Sequence, residues 1–315
     1  MGSNGQLSRF TAPVTFVTHR LIPQSPGSDH MILSDINRAL YSLGQLPRRT
    51  FCINGPDSFF LSSLLGPSFE ELGLPYRMCH RSEGLERAIA GPDFGGACVG
   101  SDFIHAGKYV RRKSDSAEKI GVVNTIHVTK VAGDRRLNGH NTTWRAIQAC
   151  IGKSNLDVTK TVALIIGHGF NSRAACYAVQ RLGFEKIIIA SADEEKAHDI
   201  ALDFEIRWLS LRPKHIAKLP VIEDGIVIIK CNEEAVSDED IINHVCPVSA
   251  SVFIDLEHKS HSGEFEQLVQ NNNRWKVHTA EDVLREQAFA LFEIWAGRRA
   301  PKLVMEAAMK AGLSH

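Results

Sequence analysis

Gly167-His168-Gly169 stands between the apolar run VALII (162–166) and a segment in which Ala174, Ala178 and Leu182 recur every four residues. A first glycine at such a place permits a tight strand-to-helix turn. A second lets a diphosphate approach the backbone N–H groups that open the helix. The third small residue of the G-x-G-x-x-G spacing falls on Ser172, with Asn171 beside it, while Phe170 follows the turn and crowds the phosphate position. The chemistry implied is nucleotide binding, and strand before plus helix after is the context the motif needs. After the next apolar run, KIIIA, come Ser191, Ala192, Asp193, Glu194 and Glu195. An acid there bonds a ribose 2′-hydroxyl and repels a 2′-phosphate, which favours NAD over NADP. The same Asp193 equally well caps the helix that follows, and both readings stay open.

The elements that must hold this turn read strand, helix, strand: one βαβ unit. Further strand-like runs, VIIK (227–230) and SVFIDL (251–256), are separated by polar, helix-compatible stretches. The alternation predicts a doubly wound parallel sheet over about 150–280. Upstream, RTFCI (49–53) reads as a short strand, 61–72 as a helix stopped by Gly73 and Pro75, and ACVGSDF as a strand running into a loop. Residues 109–119 show no core stripe and read as a solvated loop or helix face. Residues 21–30 read as a surface loop after a strand-like VTFVTH, and Ser34 as the cap of a helix carrying Ile36, Leu40 and Leu43. Residues 280–297 form an amphipathic helix with Val283, Phe289, Ala290, Ile294 and Trp295 available for packing.

The 315 residues suffice for about two domains. With 36 Lys+Arg against 36 Asp+Glu the net charge is zero, so no bulk positive field holds a polyanion and general nucleic-acid binding is not expected. The 7 cysteines include no C-x-x-C pair and read as reduced, mostly buried thiols. No apolar run reaches the ~20 residues of a membrane helix, and no basic-then-apolar leader is visible. A soluble intracellular protein, cytoplasmic or nuclear, is expected. The nearest approach to a metal cluster, HKSHSGE (258–264), reads as a solvated loop, and no metal is expected.

PDFGGACVGSD (92–102), KIGVVNTI (119–126), LNGHNTTW (137–144), LIIGHGFNSRAACYAV (164–179) and EQAFALFEIWAGRRAP (286–301) together resemble the shikimate dehydrogenase family across 49–315. The version is similar to the last module of the fungal pentafunctional arom polypeptide. The preceding stretch, 5–29, resembles the closing strand and loop of a type I 3-dehydroquinase. The resemblance implies three parts. Residues 1–47 are a residual C-terminal piece of a dehydroquinase-like module, too little to close a barrel; 48–148 form a mixed α/β substrate domain completed by 282–315; and 149–281 form a Rossmann-type domain with a doubly wound parallel sheet. It implies hydride transfer between NADP(H) and the carbonyl of 3-dehydroshikimate, with a Lys and an Asp beside the reacting oxygen.

Carried onto this sequence, the family's Lys falls on Ile104 and its Asp on Thr143. Neither side chain handles a proton at neutral pH, so no catalytic residue is expected unless His105 or Lys108 substitutes. Ser58, Asn124, Asn141 and Gln287 match substrate-contacting positions. Gly167, Gly169, Asn171, Ser172 and Asp193 match the cofactor site, while the family's Arg for a 2′-phosphate is replaced by Ala192. Binding of NAD or NADP is thereby left open, its loss included. A scaffold without its proton-handling pair reads as a pseudoenzyme, and the pattern is similar to the dehydrogenase-like C-terminal region of the fungal quinate repressor. That resemblance implies a regulatory module of quinate metabolism, with a transcriptional activator as protein partner and a quinate- or shikimate-like ligand. Direct contact with nucleic acid or membrane is not expected. The alternative is an active NAD(P)-dependent shikimate or quinate dehydrogenase with altered catalytic residues.

Overall fold

The structure, a computed structural model, describes residues 28–44, 47–80, 85–100, 106–154, 156–212, 225–232, 240–241, 251–257 and 275–312. The expected strand at 14–19, the dehydroquinase-like stretch before Ser28, Ile104, His105 and HKSHSGE lie outside these residues. The first part of the chain runs α1 (Ser28–Ser42), β1 (Arg49–Ile53), α2 (Ser58–Glu71), β2 (Tyr76–His80), α3 (Leu85–Ala90), β3 (Phe94–Cys98), β4 (Arg112–Lys113), α4 (Asp115–Ile120), β5 (Thr125–Val131), β6 (Asp134–His140) and α5 (Thr143–Gly152). The second part runs β7 (Val162–Ile166), α6 (Phe170–Leu182), β8 (Lys186–Ser191), α7 (Glu194–Phe204), β9 (Arg207–Ser210), β10 (Ile226–Lys230), β11 (Ser251–Asp255) and β12 (Trp275–His278). Two helices close the described chain, α8 (Ala280–Ala296) and α9 (Lys302–Gly312).

The second sheet has the order β9-β8-β7-β10-β11-β12, and every neighbouring pair is parallel. This is the doubly wound topology expected, with the order reversing at β7. The strand is buried along its whole length. Ala163 and Ile165 enter one core with α5 and α6, while Leu164 and Ile166 enter another on the opposite face. Burial on both faces is why the sequence shows continuous apolar runs and no alternation.

The first sheet is mixed, in the order β2-β1-β3-β5-β6-β4. β1 runs parallel to β2 and β3, whereas β3, β5 and β6 are antiparallel. β5 and β6 form a hairpin turning at Ala132 (φ 51°) and Gly133 (φ 88°), the doubly left-handed conformation that matches strand twist. α8 leaves β12 through a capping box between Thr279 and Asp282 and packs back on α5 and α2. Its Trp295 stacks on Phe51 at 4.8 Å and donates Nε1–H to the Ile126 carbonyl at 3.1 Å. A Cβ at Gly96 would lie 2.6 Å from both that carbonyl and that indole nitrogen, so the crossing requires glycine.

Two local expectations are corrected, the start of α1 and its apolar stripe. α1 begins at Ser28, inside the predicted loop and ahead of Ser34. Its Ile36 is 50% exposed and Leu43, just past its end, 70%, while among the described side chains of the helix the buried one is Asn37, whose Nδ2 donates to the Leu72 carbonyl at 2.6 Å. The helix is thus tied down by a polar contact that apolar periodicity does not reveal. Residues 109–119 hold β4 and most of α4: Ser114 caps α4 by accepting from Ala117 N, and of these residues Ala117 is buried while the rest are exposed or half-buried, as a solvated helix face requires. A helix of six residues is too short to display a stripe.

Candidate functional site

A cleft of about 670 Å³ opens where the two sheets face each other. Its walls come from the turns that follow β1, β3, β6, β7, β10 and β11, from Val122–Asn124 ahead of the antiparallel β5, and from Gln287 on α8. The β7 end is the switch point of the parallel sheet, where such folds bind ligands.

One half of the cleft is built on the turn after β7. Gly167 has φ +108°, and a Cβ there would lie 2.0 Å from Asn232 Oδ1. That oxygen accepts the His168 backbone N–H at 2.7 Å, tying the turn after β7 to the turn after β10. Gly169 has φ +99°, and a Cβ there would meet nothing within 4 Å, so the space above it is open. The first N–H groups of α6 have no partner within the helix and carry its positive dipole end. Open space, glycine and helix start together fit a diphosphate. Asn171 lines the cleft and Phe170 stands beside it. Ser172 is fully buried beneath them. Cys231, also in the wall, is buried, which pushes its thiol up to about 12 and leaves it unreactive.

At the end of β8, His168 Nδ1 lies 3.0 Å from Ser191 Oγ, and Ser191 Oγ accepts the Asp193 N–H at 3.1 Å. Asp193 caps α7: Oδ1 accepts from Lys196 N at 3.2 Å and Oδ2 pairs with Lys196 Nζ at 2.9 Å. The hydrogen bond from Lys196 holds its carboxyl below the usual range. Asp193 thus makes the helix cap, and it is not among the residues lining the cleft.

The facing half of the cleft centres on Asn124. Its Oδ1 accepts from Thr142 N and Thr125 Oγ1, both at 2.9 Å, and its Nδ2 donates to Thr143 Oγ1 at 2.9 Å. Asn141 Oδ1 accepts the Thr143 N–H at 3.1 Å, and Asn141 Nδ2 donates to the Val122 carbonyl at 3.3 Å. Gln287 closes the wall, its Nε2 3.9 Å from Cys98 Sγ. Asn124, Asn141, Thr143 and Gln287 therefore meet in one cleft. Ser58 is buried at the first residue of α2, and the wall there is Pro56 and Asp57 instead. Lys108 is exposed, 3.6 Å from Glu86, and lies outside the wall. Among the described residues no group of three His, Cys, Asp or Glu could hold a metal, and no helix is long and apolar enough to cross a membrane.

Asp57, His168, Asn232 and Glu257 were not singled out from the sequence as site residues, although all four line the cleft. A signal existed for two of them: Asn232 and Glu257 directly follow the runs VIIK and SVFIDL, at the carboxyl ends where ligands of open α/β sheets bind.

A mixed α/β domain joined to a doubly wound Rossmann half across such a cleft is an NAD(P)-binding dehydrogenase-type fold. More narrowly, the chain has the fold of the shikimate dehydrogenases. It superposes on the dehydroquinate dehydratase and shikimate dehydrogenase of S. pombe AroM with a TM-score of 0.73 and 23% identity, covering 88% of this chain and 56% of that one. It superposes on a Thermus thermophilus shikimate 5-dehydrogenase, solved in complex with NADP(H) and shikimate, with a TM-score of 0.67 and 20% identity, covering 84% of this chain and 99% of that one. In sequence it is 30% identical to the pentafunctional AROM polypeptide of Malassezia globosa over 99% of this chain and 20% of that protein. It is 27% identical to that of Schizosaccharomyces pombe over 96% of this chain and 20% of that protein. The chain spans about a fifth of the length of the curated relatives it matches. No family model matches it.

Proposed function

We propose that this chain is a shikimate dehydrogenase-type module that binds a shikimate- or quinate-like acid without turning it over, and that it regulates quinate metabolism in the manner of a repressor. The observation that carries this reading is Thr143, whose hydroxyl takes the Asn124 amide where the resemblance calls for a carboxylate. Oxidising a secondary alcohol requires that its O–H proton leave as the hydride departs. A threonine hydroxyl takes no proton near neutral pH, and Asn124 presents a donor. Ile104 offers no charge to the developing alkoxide. A nicotinamide dinucleotide, when bound, supplies or accepts the hydride; Gly169 and the α6 N-terminus would hold its diphosphate. The chain's own residues then bind and orient: Asn141, Asn124 and Gln287 present amides to ring hydroxyls and a carboxylate. A positioned acid or base contributes about 10²–10⁴ in rate, so loss of both leaves no physiological turnover. A net charge of zero fits a regulatory contact with an activator protein better than one with DNA.

The test has two parts. Calorimetric titration with shikimate, quinate, NAD and NADP is expected to show binding of at least one acid. A spectrophotometric assay with the same compounds is expected to show no reduced nicotinamide formed. An enzyme-like rate at neutral pH refutes the reading in favour of an active dehydrogenase with altered residues.

A further inference from the structure

We infer that Arg173 is a positioning residue that ties the two walls of the cleft together and fixes their separation, a property of the cleft itself that goes beyond the reading that a ring acid binds there. Arg173 lies in the first turn of α6, two residues past Asn171 in one wall, and its side chain is only 21% exposed. Its Nε donates at 2.5 Å to the carbonyl of Ile120, the last residue of α4, which stands two residues ahead of Val122 in the facing wall. Its Nη1 donates to Asp203 Oδ2 on α7 at 2.6 Å, and the centre of its guanidinium lies 5.4 Å from that of the Phe204 ring. The guanidinium also packs on Gly121, where a Cβ would meet Nη2 at 3.3 Å. From α4, Lys119 Nζ donates to the Asp203 carbonyl at 3.0 Å and stands 5.5 Å from the centre of the same ring.

These contacts join parts that belong to different cores. Ala117 of α4 packs in a core of the first sheet, while Ala175, Cys176 and Val179 of α6 and Phe204 of α7 pack in a core of the second. α8 enters both sides, with Val283 in the second and Leu284, Phe289 and Phe292 in the first. Units that meet across an open cleft move relative to each other unless something holds them. A guanidinium resists that movement because its N–H donors are set in a rigid fork, here divided between a carbonyl of one unit and a carboxylate of the other. The carbonyl it takes is one that the end of a helix leaves without an internal partner. Gly169–Asn171 and Val122–Asn124 adjoin the two ends of the tie, so its length sets the width of the cleft between them. A ligand that touches both walls is then spared the cost of ordering them, which is the gain from preorganisation.

The experiment measures the aperture directly, on the whole chain and without ligand. Spin labels on unnatural residues at positions 71 and 181, both exposed, report the distance between α2 and α6 by double electron–electron resonance. The unaltered chain is expected to give one narrow distance distribution. Arg173→Ala is expected to broaden it and add longer distances. Arg173→Lys, which keeps the charge but not the fork, is expected to fall between the two. Arg173→Met keeps the packing of the stem and removes the donors, so it carries the same expectation as Arg173→Ala and serves where that variant does not fold. A merely structural role would lower the melting temperature of these variants and leave the distribution as narrow as before, and that result overturns the inference. A distribution already broad in the unaltered chain overturns it too. Because no ligand takes part, either failure leaves the proposed metabolite site standing, and a chain that binds no acid leaves the tie standing.

Discussion

Replacing Gly167 by alanine tests how the nucleotide turn is built. Two costs are separable. The backbone there is left-handed, φ +108°, which costs an L-residue about 1–2 kcal/mol. The new methyl would also sit 2.0 Å from Asn232 Oδ1 and 2.7 Å from its Cγ, so that side chain must leave. The His168 N–H then loses the acceptor it holds at 2.7 Å. A donor stripped of its partner costs about 1–3 kcal/mol, with this half-buried group at the lower end. Gly167→Ala should therefore destabilise by about 3 kcal/mol. Gly169→Ala meets strain alone, since its Cβ has open space, but φ +99° with ψ −153° is a region essentially reserved for glycine, so it should cost about 1–3 kcal/mol. In an Asn232→Ala background the hydrogen bond is already gone and most of the collision with it. There Gly167→Ala should fall to the cost of its backbone strain. Urea denaturation of the four species of the cycle should thus give a coupling of about 1–2 kcal/mol. Additive single and double variants would refute the claim that Asn232 holds the turn.

Converting Ile104 to Lys and Thr143 to Asp together should bring shikimate oxidation at least 10²-fold above the unaltered chain, given the usual worth of a positioned acid or base; single conversions should recover far less in the same spectrophotometric assay. Trp295→Phe should keep the stack on Phe51 but leave the Ile126 carbonyl without its indole donor, lowering stability by about 1–2 kcal/mol in chemical denaturation. Burial, with His140 and Arg49 adding positive charge nearby, pulls His127 down from 6.5 to about 4, and His140 and His278 shift in the same direction. The unfolded chain then binds protons first, so stability should be full above about pH 6.5 and fall as pH drops toward 4, and His127→Phe should flatten that slope in melts run across the range.

The Rossmann half was legible because each of its central strands is buried on both faces. VALII, KIIIA, VIIK and SVFIDL stand out as apolar blocks, and the glycine turn marks where the first of them ends. The other sheet was mostly illegible for the converse reason. β6 reads DRRLNGH, and only its Gly139 is buried, so its pairing with β5 rests on backbone bonds and a left-handed turn at Ala132-Gly133. β2 has no fully buried residue and gave no apolar signal. In the site, Asn124, Asn141 and Gln287 could be placed by resemblance, and they do line one cleft. What resemblance could not supply were the contacts specific to this chain: Asn232 reaching 64 positions back to His168, and His168 turning to Ser191. Both depend on strands adjacent in space, with no local pattern to announce them.

The identity of residue 143 is physically informative beyond the loss of a proton acceptor. The position is 9% exposed and faces the amide of Asn124. Valine, of the same shape, would leave that N–H unpaired at a cost of about 1–3 kcal/mol. Aspartate would keep an acceptor but place a charge where, among the described residues, no Lys or Arg lines the cleft, and a poorly solvated carboxylate without a counter-charge is costly. Threonine alone of the three supplies the oxygen without the charge. In the proposed reading, Ile104 removes the cation that the resemblance sets beside that carboxylate, so the two substitutions neutralise the site together and leave neither charge stranded. Asn124 and Asn141 stay bonded at both ends of their amides, and their side chains are absent from the described buried polar groups that lack a partner. Closing these bonds stabilises the folded chain with or without a ligand, because a buried amide left unpaired costs free energy; in the proposed reading the same bonds also fix each amide before it presents its remaining hydrogen to a ring hydroxyl.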